Sequence, residues 1–269
     1  MSELTFTLRN PPPYPIDVSA LTPDKLAGKT PAAIAALPLR CGKHRERVED
    51  LFSLSGDDPS AIVMENGAGK LNRIGEDMSR GSIFVHGNAG AYLGFGMRGG
   101  RIEVSGKAGA FTACEMRNGS VLVRGDCGDF LGAALPGDRL GMRGGTVLIE
   151  GNAGDRVADQ MRRGQILVRG NAGDYCASRM RAGTVIVLQD VARAPGFGMQ
   201  RGTLLLARQP HLPVTFNDCG THTFAFLRLL QKALALQGAA YAGFVPGIRV
   251  RRYAGDMATG GKGEILVYE

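Results

Sequence analysis

Three groups of residues have the right types for chemistry. Asp218, Cys219 and His222 fall close together, and a thiol near an imidazole and a carboxylate is the composition of a nucleophilic site or part of a metal site. No second Cys/His group lies nearby in sequence, and capping of the helix expected next accounts for Asp218 and Thr221. Seven methionines recur at one register: Met78, Met97, Met116, Met142, Met161, Met180 and Met199. A row of thioethers is suited to a soft metal, but an internal packing ladder explains the register more simply. The residue after the methionine is arginine in five consecutive repeats, Arg98, Arg117, Arg143, Arg162 and Arg181, flanked by Ser79 and Gln200.

Guanidinium groups starting about 5 Å apart repel by about 0.8 kcal/mol per neighbouring pair in water, and more once desolvated. Such a stripe calls for compensation. Glu115, Asp129, Asp155, Asp159 and Asp174 are placed to supply it from neighbouring corners, leaving a solvated, self-neutralised edge. The alternative is contact outside the chain, with a partner subunit or an extended polyanion. The remaining candidates are bland. His86 takes an outward strand position held elsewhere by Ser, Arg or Glu, and Cys127 replaces the alanine of Ala89, Ala108, Ala153 and Ala172, the signature of a small buried residue. The recurring G-x-x-G opens no helix and lacks the G-x-G-x-x-G frame, so it is no dinucleotide fingerprint. No catalytic residue and no metal ligand set is assigned.

The elements that carry these residues follow from the period. Successive methionines are separated by 19, 19, 26, 19, 19 and 19 residues, one period with a single seven-residue insertion near Gly132 to Gly141. Pro136-Gly137-Asp138 marks that insertion as a turn. Each repeat carries a short triplet, from "IFV" at Ile83 to "LLL" at Leu204, whose first and third positions are almost always Ile or Val, with polar flanks. That alternation predicts half-buried strands with a polar outer face. A strand recurring about every 20 residues with glycine at fixed corners predicts a β-solenoid of about seven coils. One coil cannot offset its own ordering entropy, so stacking is obligatory. Three regions are expected: 1–60, with short helices capped by Thr22 and Thr30, covering one end; 61–207, the repeats; and 208–269, with a capping helix over Thr221 to Gly238 followed by two strands joined by a glycine-rich turn. That helix is apolar nearly all round, which predicts that it is sandwiched.

Composition narrows the function classes. Forty glycines are about twice the usual share, yet no Gly-X-Y period is present to indicate collagen. Five widely spaced cysteines without a C-x-x-C pair argue for reduced thiols rather than a disulfide framework or a zinc ribbon. No export signal or membrane span is indicated, so a cytoplasmic location is expected. The net charge of +7 suits an acidic partner or polyanionic ligand, while the absence of tryptophan leaves little for base stacking and argues against nucleic acid.

The "GNAGD…MRRG/MRAG" repeats, the segment "LTPDKLAGKTPAAIAALPLRCG" and the terminal "RRYAGDMATGGKGEILV" together resemble the C subunit of formylmethanofuran dehydrogenase and of the related bacterial formyltransferase/hydrolase complex. The repeats alone also resemble the C-terminal domain of the glutamate synthase large subunit; the flanking segments favour the former family. The resemblance implies a right-handed parallel β-helix acting as a non-catalytic scaffold. It implies sister subunits that transfer a formyl group from tetrahydromethanopterin to a methanofuran-type carrier and hydrolyse the product to formate with zinc. The scaffold alone would bind no cofactor. The arginine stripe is then a candidate contact for a sister subunit or for the glutamate-rich tail of the carrier. The archaeal tungsten or molybdenum dehydrogenase and a glutamate synthase-like structural subunit are the alternatives, and arginine-, alanine- and glycine-rich composition favours the bacterial complex.

Overall fold

The computed structural model describes residues 2–269. The apolar triplets all become strands of one large sheet. Its members in chain order are β1 (Glu3–Leu8), β2 (Phe52–Ser55), β3 (Asp58–Glu65), β4 (Ser82–Val85), β5 (Arg101–Val104), β6 (Ser120–Val123), β7 (Arg143–Ile149), β8 (Arg163–Val168), β9 (Thr184–Val187), β10 (Arg201–Leu206), β11 (Asn217–Thr223), β12 (Arg249–Gly255) and β13 (Lys262–Tyr268). Their spatial order is β11-β12-β13-β10-β9-β8-β7-β6-β5-β4-β3-β1-β2. From β3 to β10 each strand lies parallel to the next repeat's strand, and equivalent residues align as Ile83, Ile102, Val121, Val147, Ile166, Val185 and Leu204. A second row of bridges joins Ala108, Cys127, Ala153, Ala172 and Val191. The small residue at Cys127 therefore belongs to a stacked row, as expected.

The methionine register is an internal ladder: all seven side chains are fully buried. It also explains a glycine. Gly164 has φ +103°, and a Cβ there would lie 2.8 Å from both the methyl of Met142 and the carbonyl of Gly145. The methionine of one repeat thus occupies the space a side chain would need in the next, so Met-x-x-Gly repeats as a packing unit. The insertion leaves this ladder intact and bulges outward, with Gly137 at φ +93° and the Asp138 amide donating to the Leu135 carbonyl at 2.9 Å.

The N-terminal end is closed by β1, parallel to β3, and β2, antiparallel to β1. A small sheet of Ile16–Asp17, Pro38–Cys41, His44–Arg47 and Leu71–Asn72 flanks it. Helices α1 (Pro23–Leu26), α2 (Pro31–Ala35) and α3 (Val48–Leu51) complete this region. Thr30 caps α2 through a hydrogen bond from the Ala33 amide, but Thr22 caps nothing. Within α1, Asp24 accepts from the Ser79 amide and hydroxyl at 2.7 and 2.6 Å and pins the helix to the first repeat.

The C-terminal region corrects two expectations. The helix α4 spans Ala225–Leu236; Thr221 and Thr223 lie in β11, and Phe224 at the N-cap makes no side-chain cap. The end of the stack is covered instead by β13, parallel to β10, with β12 antiparallel beyond it, the two expected strands. The helix lies across the outer face of the sheet. Leu122, Leu148, Leu167, Ile186, Leu205 and Leu266 form a second core there with Leu227, Leu234, Tyr241 and Phe244. The outer face is therefore apolar from β6 onward, not polar, because each triplet's middle residue there is Leu or Ile.

Candidate functional site

The arginine stripe exists as a stacked column. The amides of Arg98, Arg117, Arg143, Arg162 and Arg181 donate to the carbonyls of Met78, Met97, Met116, Met142 and Met161, at 2.7 to 2.8 Å. Its neutralisation is only partial and differs from expectation. Arg98 pairs with Asp77 at 3.4 Å and Arg143 with Glu115 at 3.6 Å. Asp159 instead holds Arg179, and Asp174 holds Arg193. Asp129 and Asp155 accept from the amides of Asp155 and Asp174 one repeat on, at 2.8 Å each. The corner carboxylates thus satisfy backbone donors left between repeats, a demand that the bare charge pattern does not show. Among the described residues Arg117, Arg162 and Arg181 form no ion pair, and the Nε atoms of Arg143 and Arg162 are buried without a partner.

At its C-terminal end the column opens into a cleft that sequence reasoning missed. The insertion walls a cavity of about 610 Å³ with Leu135, Asp138 and Arg139 on one side and Arg156, Arg179 and Arg181 on the other. A second hollow of about 370 Å³ shares Gln160, Arg179 and Arg181 and continues to Phe197 and Thr259. At its base Asp159 is 2% exposed and accepts from Ser178 Oγ at 2.8 Å and Arg179 Nε at 2.9 Å. The only signal in the sequence was the break in the 19-residue period. A second column was also overlooked: Tyr92, Phe111 and Phe130 stack at 5.0 and 4.9 Å, with Arg73 over Tyr92. Their 19-residue spacing was legible, but no chemistry-bearing residue drew attention to it.

The thiol, imidazole and carboxylate near residue 220 do not converge. Asp218 is paired with Arg251, whose hydrogen bond keeps the carboxyl below the ordinary range. His222 Nε2 lies 2.9 Å from the carbonyl oxygen of Cys219, not from its sulfur. Capping accounts for neither neighbour, since Thr221 donates to Glu269 at 2.6 Å. Burial pushes the Cys127 and Cys176 thiols up to about 12 and raises Cys114 as well, which makes all three poor nucleophiles. All five cysteines are free and only Cys219 is exposed. His86 is exposed, its ring edge-on to Phe84 at 4.5 Å. Among the described residues no group of three His, Cys, Asp or Glu is placed to hold a metal, and no helix is long and apolar enough to cross a membrane.

This geometry defines a class: a mainly β protein of stacked parallel strands, with glycine corners and a basic edge. Residues 134–218 match the GXGXG motif family. The Fhc C subunit of the formyltransferase/hydrolase complex of Methylorubrum extorquens is 41% identical over 98% of each chain. A crystal structure of the formyltransferase/hydrolase complex FhcABCD from the same organism, in complex with methylofuran, contains a chain matching with a TM-score of 0.93 and 38% identity. That match covers 98% of this chain and 99% of the other. The C subunit of the tungsten-containing formylmethanofuran dehydrogenase 2 of Methanothermobacter wolfeii is 32% identical over 36% of this chain and 37% of its own length. The chain belongs to the family of formyltransferase/hydrolase complex C subunits, homologous to the C subunits of formylmethanofuran dehydrogenases.

Proposed function

We propose that this chain is the non-catalytic scaffold of a cytoplasmic formyltransferase/hydrolase complex. Sister subunits would move a formyl group from formyl-tetrahydromethanopterin to a methanofuran-type carrier and release formate with zinc. The observation that carries this reading is the end-to-end match with the Fhc C subunit, against about a third of the chain for the dehydrogenase homologue. The absence of convergence among Asp218, Cys219 and His222 supports a structural role. In this reading the repeats are about seven coils of a right-handed parallel β-helix over 61–207, with 1–60 and 208–269 as its covers. The column of Arg98, Arg117, Arg143, Arg162 and Arg181 contacts a sister subunit or the anionic tail of the carrier, chiefly through the three arginines without a carboxylate.

Affinity purification through a tag on this chain, with mass spectrometry of what is retained, tests the assignment. Formyltransferase and hydrolase subunits with a furan-type carrier are the expected companions. A tungsten or molybdenum subunit, or glutamate synthase components, would replace the reading with one of its alternatives.

A further inference from the structure

Helix α4 is apolar over a wide sector, and only part of it is buried against the sheet. Leu227 and Leu234 are buried against the sheet, with Leu230 partly buried beside them. Along the adjoining stripe are Phe226 at 41%, Leu229 at 69% and Leu236 at 89% exposure, with exposed Ala233 between them. These positions, 226, 229, 233 and 236, follow the i, i+3, i+7, i+10 spacing of a seam that packs against another helix. A solvated helix face has no reason to keep that spacing or to expose large aliphatic side chains on it. The small residue at Ala233 lets a neighbouring backbone approach closely.

The charge beside the seam identifies the occupant further. Arg228 and Lys232 are exposed, one turn apart, and border the apolar face. The sequence of α4, AFLRLLQKALAL, contains no acidic residue, so neither cation has a partner within its own helix. A second copy of α4 would set like charges against each other at the rim. We infer that the outer face of α4 is a docking seam for an amphipathic helix of a sister subunit, one with apolar residues at heptad spacing and carboxylates along the edge that meets Arg228 and Lys232. This rests on the complex proposed above. Within that complex it assigns one face of this chain and the chemistry of its partner. The sheet beneath supplies a rigid support, since Leu227 and Leu234 hold α4 on the second core.

The test uses the full chain produced together with its sister subunits. Leu229→Glu combined with Leu236→Glu alters only exposed positions. It is expected to lower retention of the docked subunit by about ten-fold while the thermal unfolding of this chain is unchanged. Arg228→Glu with Lys232→Glu, which leaves the apolar seam intact, is expected to lower retention by about three-fold, more at low salt than at high salt. Zero-length carbodiimide cross-linking of the wild-type complex should join the Lys232 amine to an Asp or Glu in an amphipathic segment of one sister subunit. Undiminished retention of every subunit by the leucine double variant would overturn the inference and leave the proposed function standing. A cross-link to a second copy of this chain would overturn it in favour of self-association. A wild-type chain that retains no sister subunit would overturn both.

Discussion

The two halves of the sheet share one inner face and differ completely on the outer one. At β4 and β5 the middle residues of the triplets are Phe84 and Glu103, both half-buried, and Glu103 pairs with Arg101 and Arg124 at 3.0 Å. From β6 onward the same position holds Leu122, Leu148, Leu167, Ile186 and Leu205, all buried beneath α4 and its following segment. Inside, the methionine ladder runs unchanged through both halves. A repeating backbone therefore fixes the interior once, and one residue per repeat decides whether the exterior is wet or covered. The cover itself comes from a segment distant in sequence.

The shared interior is where substitution should cost most. Gly164→Val would force a β-branched residue to φ +103° and into the Met142 methyl, so a loss of about 4 kcal/mol or more is expected, read as failure to fold or a sharply lowered Tm. Gly100→Val in the other half, with φ +81° and the Met78 methyl 2.3 Å from a Cβ, should cost a similar amount. A large difference between the two would break the claim that the interior is uniform. The exteriors should separate next. Leu167→Ala beneath α4 is expected to cost about 2–5 kcal/mol, whereas Glu103→Ala on the open half should cost about 1 kcal/mol or less. Denaturant midpoints of the two variants would measure that contrast directly.

The division between legible and hidden parts follows the same line. Period, strand positions, the buried methionines and the stacked role of Cys127 were readable because each recurs, and stacking makes one repeat's neighbour its own copy. The fate of α4 was not, because its apolar residues fit equally well on an end or on a face. The hint was the shift from Glu103 to Leu122 at the middle of the triplet. The carboxylates misled for another reason. Charge pattern suggested Asp129 and Asp155 as partners for the arginines, but free amides at the corners claim them. The insertion cleft around Asp159 needs the fold to bring Arg139, Arg156 and Arg181 together, so spacing alone could only mark the place.

Smaller effects sharpen the picture. In the native state a thiol reagent is expected to modify Cys219 alone, with the four buried cysteines reacting only after unfolding; rapid modification of Cys127 or Cys176 would contradict their burial. The smallest effect concerns acid. Hydrogen bonding from Arg193 holds the Asp174 carboxyl below its ordinary range. A depressed carboxylate lends stability that is complete above about pH 4 and is lost as pH falls through its folded-state value. Because Arg193 is exposed, Arg193→Ala should shift the acid limb of the unfolding curve only slightly.

The central claim is that this chain supports chemistry carried out on other polypeptides. Formyl transfer and formate release should be assayed with the purified chain, with its sister subunits alone, and with all of them reassembled. The account predicts no turnover by the chain itself and restored assembly and coupled formate release when it is added back. Turnover of either step by the isolated chain, lost on Cys219→Ala, would contradict it.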